Sequence, residues 1–248
     1  MADAADELPL TRAMWAASEA AVTASAEHEF LLAMLSGELA PRCFQYYVRQ
    51  DRLYLLDFAL ALRRLAALSE GEDVEALRAF ADGADVAEAS LHESFFAAWG
   101  VDATALLQDD QAPTTLAYTS FLLRCVADGR AEGLAALLPC FWVYHHVGVK
   151  MLALRATTYR DRARPPQFDA WIDMYGGDAF ADAVQRYRAL VERAAAAADD
   201  ATRGRMAHNF QRACDLEWLF WAQALREEAW PAYARGVVHQ ASHEMSFD

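Results

Sequence analysis

Apolar residues in this sequence recur at the three- and four-residue spacing of an amphipathic α-helix over nearly the whole chain. No segment alternates apolar and polar residues in the way that predicts a strand or a β-hairpin. The 11 glycines and 7 prolines fall mostly where helices should begin or end. One stripe after Pro41 contains Phe44, Tyr47, Asp51, Tyr54, Phe58 and Leu62. The pattern predicts an all-α protein with one domain of about ten helices.

Proline and glycine positions also predict the helix boundaries. Gly71 and Gly83 are expected to separate two short segments, and Pro139 is expected to interrupt a long helix. Eight predicted helices follow one another along the chain. They are one starting at Pro41; one through Val86 that ends at Gly100; one from Pro113 to near Gly129; one from Glu132 to about Tyr159; a short one near Trp171; one from Asp178 to Ala198; one from about Thr202 to Glu228; and one around Tyr233. No repeat or low-complexity linker divides the chain. We therefore expect a flexible N-terminus over 1–8, a helical domain over 9–238 and a C-terminal tail over 239–248.

Charge and composition exclude several classes of partner. The 36 acidic and 22 basic residues give a formal net charge of -14, which repels nucleic acid and anionic lipid. The first residues are acidic where a secretory signal needs a basic start, and no stretch approaches the ~18 uncharged apolar residues of a membrane span. The four cysteines lie far apart in apolar segments, which does not favour a disulfide framework: Cys43, Cys125, Cys140 and Cys214. We expect free thiols and a cytoplasmic protein.

One helix face combines an acid with apolar neighbours. Cys43, Tyr47, Asp51 and Tyr54 step by four, four and three residues, so they share a face of the helix after Pro41. A buried acid is costly unless it is paired or hydrogen-bonded. Asp51 is therefore either a structural acid, capped by a tyrosine hydroxyl or an arginine such as Arg52, or part of a functional site.

A second face, on the long helix, carries a cysteine directly after a proline. Pro139 has no amide hydrogen to donate, and Cys140 and Tyr144 share a face at i, i+4. A buried cysteine is ordinarily a small inert hydrophobe. The neighbouring distortion of the helix makes Cys140 a candidate nucleophile as well.

A carboxylate among aromatic residues marks the third face. Phe210, Cys214, Glu217 and Trp221 step by four, three and four residues on the last long helix. Apolar surroundings should raise the pKa of Glu217, as an acid/base catalyst at neutral pH requires. The alternative is a structural acid bonded to a tyrosine or a histidine.

Histidine pairs offer a rival hypothesis of a metal site. His239 with His243, and Glu88 with His92, have the i, i+4 spacing that can ligate a metal. Neither pair has a third ligand at motif spacing, and the adjacent His145 and His146 point to different sides of a helix. The pattern does not favour a metal.

Five sequence blocks, in order, resemble the TenA family, the thiaminase II or aminopyrimidine aminohydrolase proteins. The blocks are Phe44–Leu55, Ala117–Ser120, Ala135–Tyr144, Trp171–Tyr175 and Asn209–Trp221, and the resemblance spans roughly residues 10 to 235. It implies a haem-oxygenase-like all-helical fold, no metal or other cofactor, and a homotetramer. The reaction it implies is hydrolysis of 4-amino-5-aminomethyl-2-methylpyrimidine to the hydroxymethylpyrimidine and ammonia, with thiamin cleavage as a side activity.

The resemblance also implies roles for individual positions. Cys140 matches the nucleophile, Glu217 the acid/base carboxylate, and Asp51 the acid that binds the pyrimidine nitrogens. The tyrosines that match those lining the pocket are Tyr54, Tyr118, Tyr144 and Tyr175. The chain departs from the family pattern at Leu53, His145, His146, Asp215 and Leu216, which we expect to affect pocket size and the preferred leaving group.

Two other functions compete with the thiol hydrolase. A haem- or di-iron-dependent oxygenase on the same helical scaffold would use His28 as an axial ligand, or Glu88 and His92 as iron ligands. A non-catalytic protein would bind a pyrimidine without turning it over.

Overall fold

The structure is a computed structural model that describes the backbone of residues 9–99 and 110–231 and the side chains of 9–85 and 110–231. These residues form helices joined by short connections, with no strand among them. The helices are α1 (Leu10–Ala17), α2 (Glu19–Ala26), α3 (Glu29–Ser36), α4 (Pro41–Ala67), α5 (Glu72–Trp99), α6 (Pro113–Asp128), α7 (Arg130–Ala156), α8 (Pro166–Gly176), α9 (Asp178–Ala197) and α10 (Asp200–Arg226). The predicted all-α class is confirmed.

The structure corrects two predicted breaks. Gly83 lies inside α5, which runs unbroken from Glu72 to Trp99. A glycine inside a helix costs only about 1 kcal/mol, and the flanking turn buries Leu77 and Ala81. Pro139 lies inside α7 and is itself buried, so packing around it offsets the one backbone hydrogen bond that it cannot make.

Other predicted boundaries agree with the structure to within about three residues, because proline or a cap residue marks them. Pro41 and Pro113 occupy the first turns of α4 and α6. The Asp199 carboxylate caps α10 by accepting a hydrogen bond from the amide of Thr202 at 2.8 Å. The predicted helix end at Gly100 and the tail helix around Tyr233 lie outside the described residues.

Helix α7 lies at the centre of the bundle and contacts α4, α6, α8, α9 and α10. Every residue from Glu132 to Pro139 is buried. This packing fixes the next turn of the helix, which carries Cys140 and Tyr144.

The apolar character of α7 corrects one expectation from the sequence. By length and composition alone this helix could cross a membrane, and half of its most apolar window is buried inside the bundle. Core helices of globular proteins have the same composition, so one such helix is weak evidence for a membrane span.

Helices α7 and α8 cross at two glycines. A Cβ atom added to Gly148 would lie 2.4 Å from the amide nitrogen of Gly176 and 2.5 Å from the carbonyl carbon of Tyr175. Only glycine permits so close an approach of the two backbones. The crossing therefore sets the position of Tyr175, the next-to-last residue of α8.

Candidate active site

A cavity of about 320 Å³ lies between α4, α5, α7, α8 and α9. This volume is at the lower end of the range for small-molecule sites. Most of its wall is apolar, from Leu55, Phe58, Ala79, Phe80, Gly83, Ala84, Phe141, Met174, Ala179, Phe180 and Ala183. The side chains on its wall that can bond or react are Asp51, Cys140, Tyr144, Tyr175 and Arg186. The cavity thus combines an apolar wall with a small set of reactive groups.

Cys140 is the cysteine that lines this cavity, and it is partly exposed there. The other three thiols are buried elsewhere. Burial raises the pKa of Cys43, raises that of Cys125 to about 11, and raises that of Cys214 further. A buried thiol that stays protonated is a poor nucleophile, and Cys140 is the described cysteine that a ligand in the cavity can reach.

Asp51 lines the cavity from α4 and is 6% exposed. Its carboxylate raises the pKa of both Glu217 and Tyr144, which shows that its charge acts within the same site. A carboxylate with cavity access can accept hydrogen bonds from an amine or a ring N–H of a ligand.

Glu217 lies on α10, does not line the cavity and is 1% exposed. Its Oε1 accepts a hydrogen bond from the Tyr118 hydroxyl at 2.6 Å. Burial, opposed by this hydrogen bond and reinforced by the charge of Asp51, raises the pKa of Glu217 to about 8. The carboxyl group can therefore both give and take a proton near neutral pH.

Tyr54 lies next to both reactive groups. Its ring centroid is 4.9 Å from that of Tyr118, and burial, then the neighbouring Cys140, Tyr118 and Glu217, raise its pKa well above the usual value. Its buried hydroxyl interacts with the Cys140 thiol and the Tyr118 hydroxyl, and Tyr54 itself does not line the cavity. Tyr54 therefore links the cavity thiol to the Tyr118–Glu217 pair.

Tyr144 is held by a chain of hydrogen bonds. The Trp171 indole donates to the Tyr47 hydroxyl at 3.2 Å, and that hydroxyl donates to the Tyr144 hydroxyl at 3.4 Å. The Tyr144 ring centroid lies 4.8 Å from that of Tyr175. Burial raises the pKa of Tyr144 well above the usual value, so its hydroxyl stays protonated.

Tyr175 is positioned through its backbone as well as its ring. Besides the glycine crossing, the His145 Nδ1 lies 3.0 Å from the Tyr175 carbonyl oxygen. Because a carbonyl oxygen only accepts, the imidazole must carry a proton on Nδ1 and donate. Two aromatic side chains from α7 and α8 therefore form a fixed wall suited to a flat ring.

A model of the TENA/THI-4/PQQC family matches residues 15–227 of this chain. The chain belongs to this family. The aminopyrimidine aminohydrolase of Bacillus subtilis (strain 168) is 33% identical to it over 205 residues, which are 82% of this chain and 84% of that protein. Every helix that contributes to the cavity falls within the matched region.

Two solved structures confirm the haem-oxygenase-like fold. The TenA homologue protein from P. horikoshii OT3 has a TM-score of 0.79 at 23% identity, covering 88% of this chain and 99% of that one. A domain of unknown function with a heme oxygenase-like fold from Shewanella denitrificans OS217 has a TM-score of 0.66 at 14% identity, covering 96% and 97%.

The positions at which this chain departs from the TenA pattern do not line the cavity. Leu53 uses its carbonyl to accept a hydrogen bond from Gln111 at 3.2 Å, and Asp215 forms an exposed ion pair with Arg212. The remaining departures, His145, His146 and Leu216, are also absent from the wall. None of these positions lines the described wall, so their effect on pocket size and leaving group stays a prediction. His145 contacts two wall residues, the Tyr175 carbonyl and the Phe180 ring, whose centroid is 6.4 Å from the imidazole.

The histidines considered as metal or haem ligands do not contribute to the described cavity. His28 caps α3, its Nδ1 accepting a hydrogen bond from the Phe30 amide at 3.1 Å, and burial lowers its pKa to about 4. It does not line the cavity. The side chains of Glu88, His92, His239 and His243 lie outside the described residues.

None of the site residues predicted from the sequence lies on α5 or α9, which form one side of the cavity. Phe80, Phe180 and Arg186 lie there and belong to no TenA block quoted above. The available signal was the spacing of Ala179, Ala183 and Arg186, which places small residues and one cation on a single face of α9.

Proposed function

We propose that this protein is a hydrolase of thiamin salvage, which converts 4-amino-5-aminomethyl-2-methylpyrimidine and water to the hydroxymethylpyrimidine and ammonia. Cleavage of thiamin would be a side activity. The family match and the similarity to the aminopyrimidine aminohydrolase of B. subtilis support this reaction class. The observation that carries the proposal is that Cys140 and Asp51 face one cavity, and that the charge of Asp51 acts on the buried Glu217 carboxyl, which does not itself line the cavity.

Asp51 and the aromatic wall bind the substrate in this proposal. The Asp51 carboxylate accepts hydrogen bonds from the exocyclic amine of the pyrimidine. Tyr144 and Tyr175 pack against the flat ring and exclude water from the reacting carbon. The C5 methylene then lies toward Cys140.

Cys140 supplies the nucleophile. A primary amine on a methylene carbon is a poor leaving group, so direct displacement by water is slow. Addition of the Cys140 sulfur to the pyrimidine ring forms a C–S bond and breaks aromaticity, and the thiol proton passes to a ring nitrogen. The electron pair of the dearomatised ring can then expel the amine from the methylene carbon.

Glu217 moves the protons. Its acid form protonates the departing amine, which leaves as ammonia, and its carboxylate then takes a proton from the water that attacks the exocyclic methylene. Loss of the Cys140 sulfur, which takes back the proton from the ring nitrogen, restores the aromatic ring. One water is consumed and one ammonia released, and the sulfur and the carboxyl group return to their starting states. No step requires a metal or another cofactor.

The oligomeric state and the cellular location are predicted from the sequence alone. A homotetramer and a cytoplasmic location stay predictions, which gel filtration with light scattering and cell fractionation would test.

Ammonia release from the aminomethylpyrimidine tests the proposal. Cys140→Ser should lower kcat by a factor of about 10³ or more, because a hydroxyl is a far weaker nucleophile than a thiolate. The control is Cys43→Ser, which changes a buried thiol outside the cavity and should leave kcat within about twofold.

Three outcomes would contradict the proposal in different ways. Full turnover by Cys140→Ser would exclude the thiol mechanism. Wild-type protein that binds the pyrimidine in a thermal-shift assay without releasing ammonia would be a binding protein. Purified protein with stoichiometric iron or a haem absorbance band would favour the oxygenase.

A further inference from the structure

The cavity extends beyond the groups that the proposed reaction uses. On α9, Ala179, Ala183 and Arg186 follow at steps of four and three residues and all line the wall. Seven residues of helix rise by about 10 Å, so Arg186 lies roughly two turns away from the wall beside Tyr175 and Phe180. The small side chains of α9, and of Gly83 on α5, keep this part of the cavity open.

Arg186 is exposed and, like Arg188 beside Trp142, places its guanidinium over an aromatic ring. Its guanidinium lies 5.4 Å over the ring of Phe80 and has no ion-pair partner among residues 9–85 and 110–231. Arginines that do pair with a carboxylate are Arg124, Arg130, Arg155, Arg193 and Arg205. In a chain with a formal net charge of -14, a cation at the cavity wall that has no carboxylate partner among the described side chains can bind an anionic ligand.

The two charged groups on the described cavity wall have opposite signs, so they can orient a ligand in the cavity. Asp51 repels an anion and attracts the amine edge of the pyrimidine, whereas Arg186 attracts an anion. A ligand with its aminopyrimidine at Asp51 would therefore point any acidic group toward Arg186. In this orientation the part of the ligand that faces Arg186 is its leaving group.

We propose that Arg186 binds an anionic group at the far end of the leaving group, so that the pocket prefers aminopyrimidines whose departing part carries a phosphate or carboxylate. A guanidinium matches either anion with paired N–H donors. The apolar wall between the two charged ends accommodates the connecting ring or chain. This inference rests on the proposed function, because it takes the aminopyrimidine to lie beside Asp51.

Binding to the Cys140→Ser variant tests this inference without depending on turnover. Thiamin monophosphate and thiamin share the pyrimidine and the thiazolium and differ in the terminal phosphate. Titration calorimetry should give a Kd about five- to tenfold lower for thiamin monophosphate, and this preference should shrink as ionic strength rises. Adding Arg186→Ala should abolish the preference, whereas Arg186→Lys should retain part of it.

The control is Arg212→Ala, which removes the same charge from an exposed pair on α10 and should leave both affinities unchanged. Equal affinity for the two ligands, equal weakening of both by Arg186→Ala, or no binding of either would overturn the inference. Equal weakening would mean that Arg186 only covers the apolar wall beside Phe80. Ammonia release by wild-type protein, measured separately, decides the proposed function, so the two can fail independently.

Discussion

The Tyr118 hydroxyl donates a 2.6 Å hydrogen bond to Glu217, and both side chains are buried. This bond stabilises the ionised carboxylate, whereas burial and the charge of Asp51 stabilise the protonated form. The pKa of about 8 results from these opposing effects. The hydrogen bond and the charge of Asp51 can each be removed separately by a substitution that changes a single polar group.

The first prediction concerns stability against pH. Because the folded pKa of Glu217 is about 8 against an ordinary value of 4.5, the folded state binds more protons than the unfolded state between these values. The free energy of unfolding should therefore be largest at low pH within this window and fall as pH rises through it. The loss attributable to Glu217 should be on the order of 3 kcal/mol.

Urea denaturation at several pH values between 5 and 8 measures this dependence. Glu217→Gln keeps the shape of the side chain and cannot ionise, so its stability should depend less on pH than that of the wild type. Parallel pH profiles for the two proteins would show that Glu217 does not titrate near 8.

Removing the hydrogen bond from Tyr118 should raise the pKa of Glu217 further. In Tyr118→Phe, the carboxylate loses the donor that lowers its pKa, so the limb of the kcat/KM profile that reports Glu217 should move to higher pH. Tyr159→Phe, in the turn after α7 and outside the cavity lining, is the control. A limb that stays in place would mean that another group controls this ionisation.

Removing the charge of Asp51 should move the same limb in the opposite direction. In Asp51→Asn the pKa of Glu217 should fall, because the repulsion that raises it is lost. The variant also loses an acceptor for the pyrimidine amine, so KM should rise about tenfold. An unchanged KM would show that Asp51 does not bind the substrate, whatever happens to the pH profile.

The crossing of α7 and α8 predicts a specific effect of a single methyl group. Gly148→Ala would place a Cβ 2.4 Å from a backbone nitrogen of α8, and overpacking of this kind costs about 1 to 3 kcal/mol. Displacement of Tyr175 should also raise KM more than it lowers kcat.

Gly204→Ala on α10 is the matched control. It adds a methyl group with no atom within 4 Å and should stabilise the protein by up to about 1 kcal/mol. Similar stability changes in the two variants, measured by thermal denaturation, would mean that the crossing relaxes freely.

The sequence was sufficient to predict the helices that carry the site and which residues share a face. The i, i+3 and i, i+4 steps correctly place Cys140 and Tyr144 together on the cavity wall. The same spacing cannot predict how many residues along a helix face line the cavity. Cys43 shares a helix face with Asp51, yet its thiol lies 3.6 Å from the Leu225 carbonyl oxygen and outside the cavity.

The α5 and α9 wall could not be predicted because it depends on how two helices pack across the bundle. Phe80 and Phe180 are ordinary core residues by periodicity, and only the packing brings their rings to one cavity. Gly83 was predicted as a break for a similar reason. Glycine signals a turn locally, but tertiary packing decided that the helix continues.

Contact between the backbones of Gly148 and Gly176 makes the Tyr175 side of the cavity hard to reshape. Substitution can shorten a side chain and so enlarge a cavity, but it cannot remove backbone atoms where two main chains are in contact. Variants that admit bulkier molecules should therefore arise at Phe80, Phe180 and their neighbours, where the boundary consists of exchangeable groups. Selection for new substrates would be expected to act there.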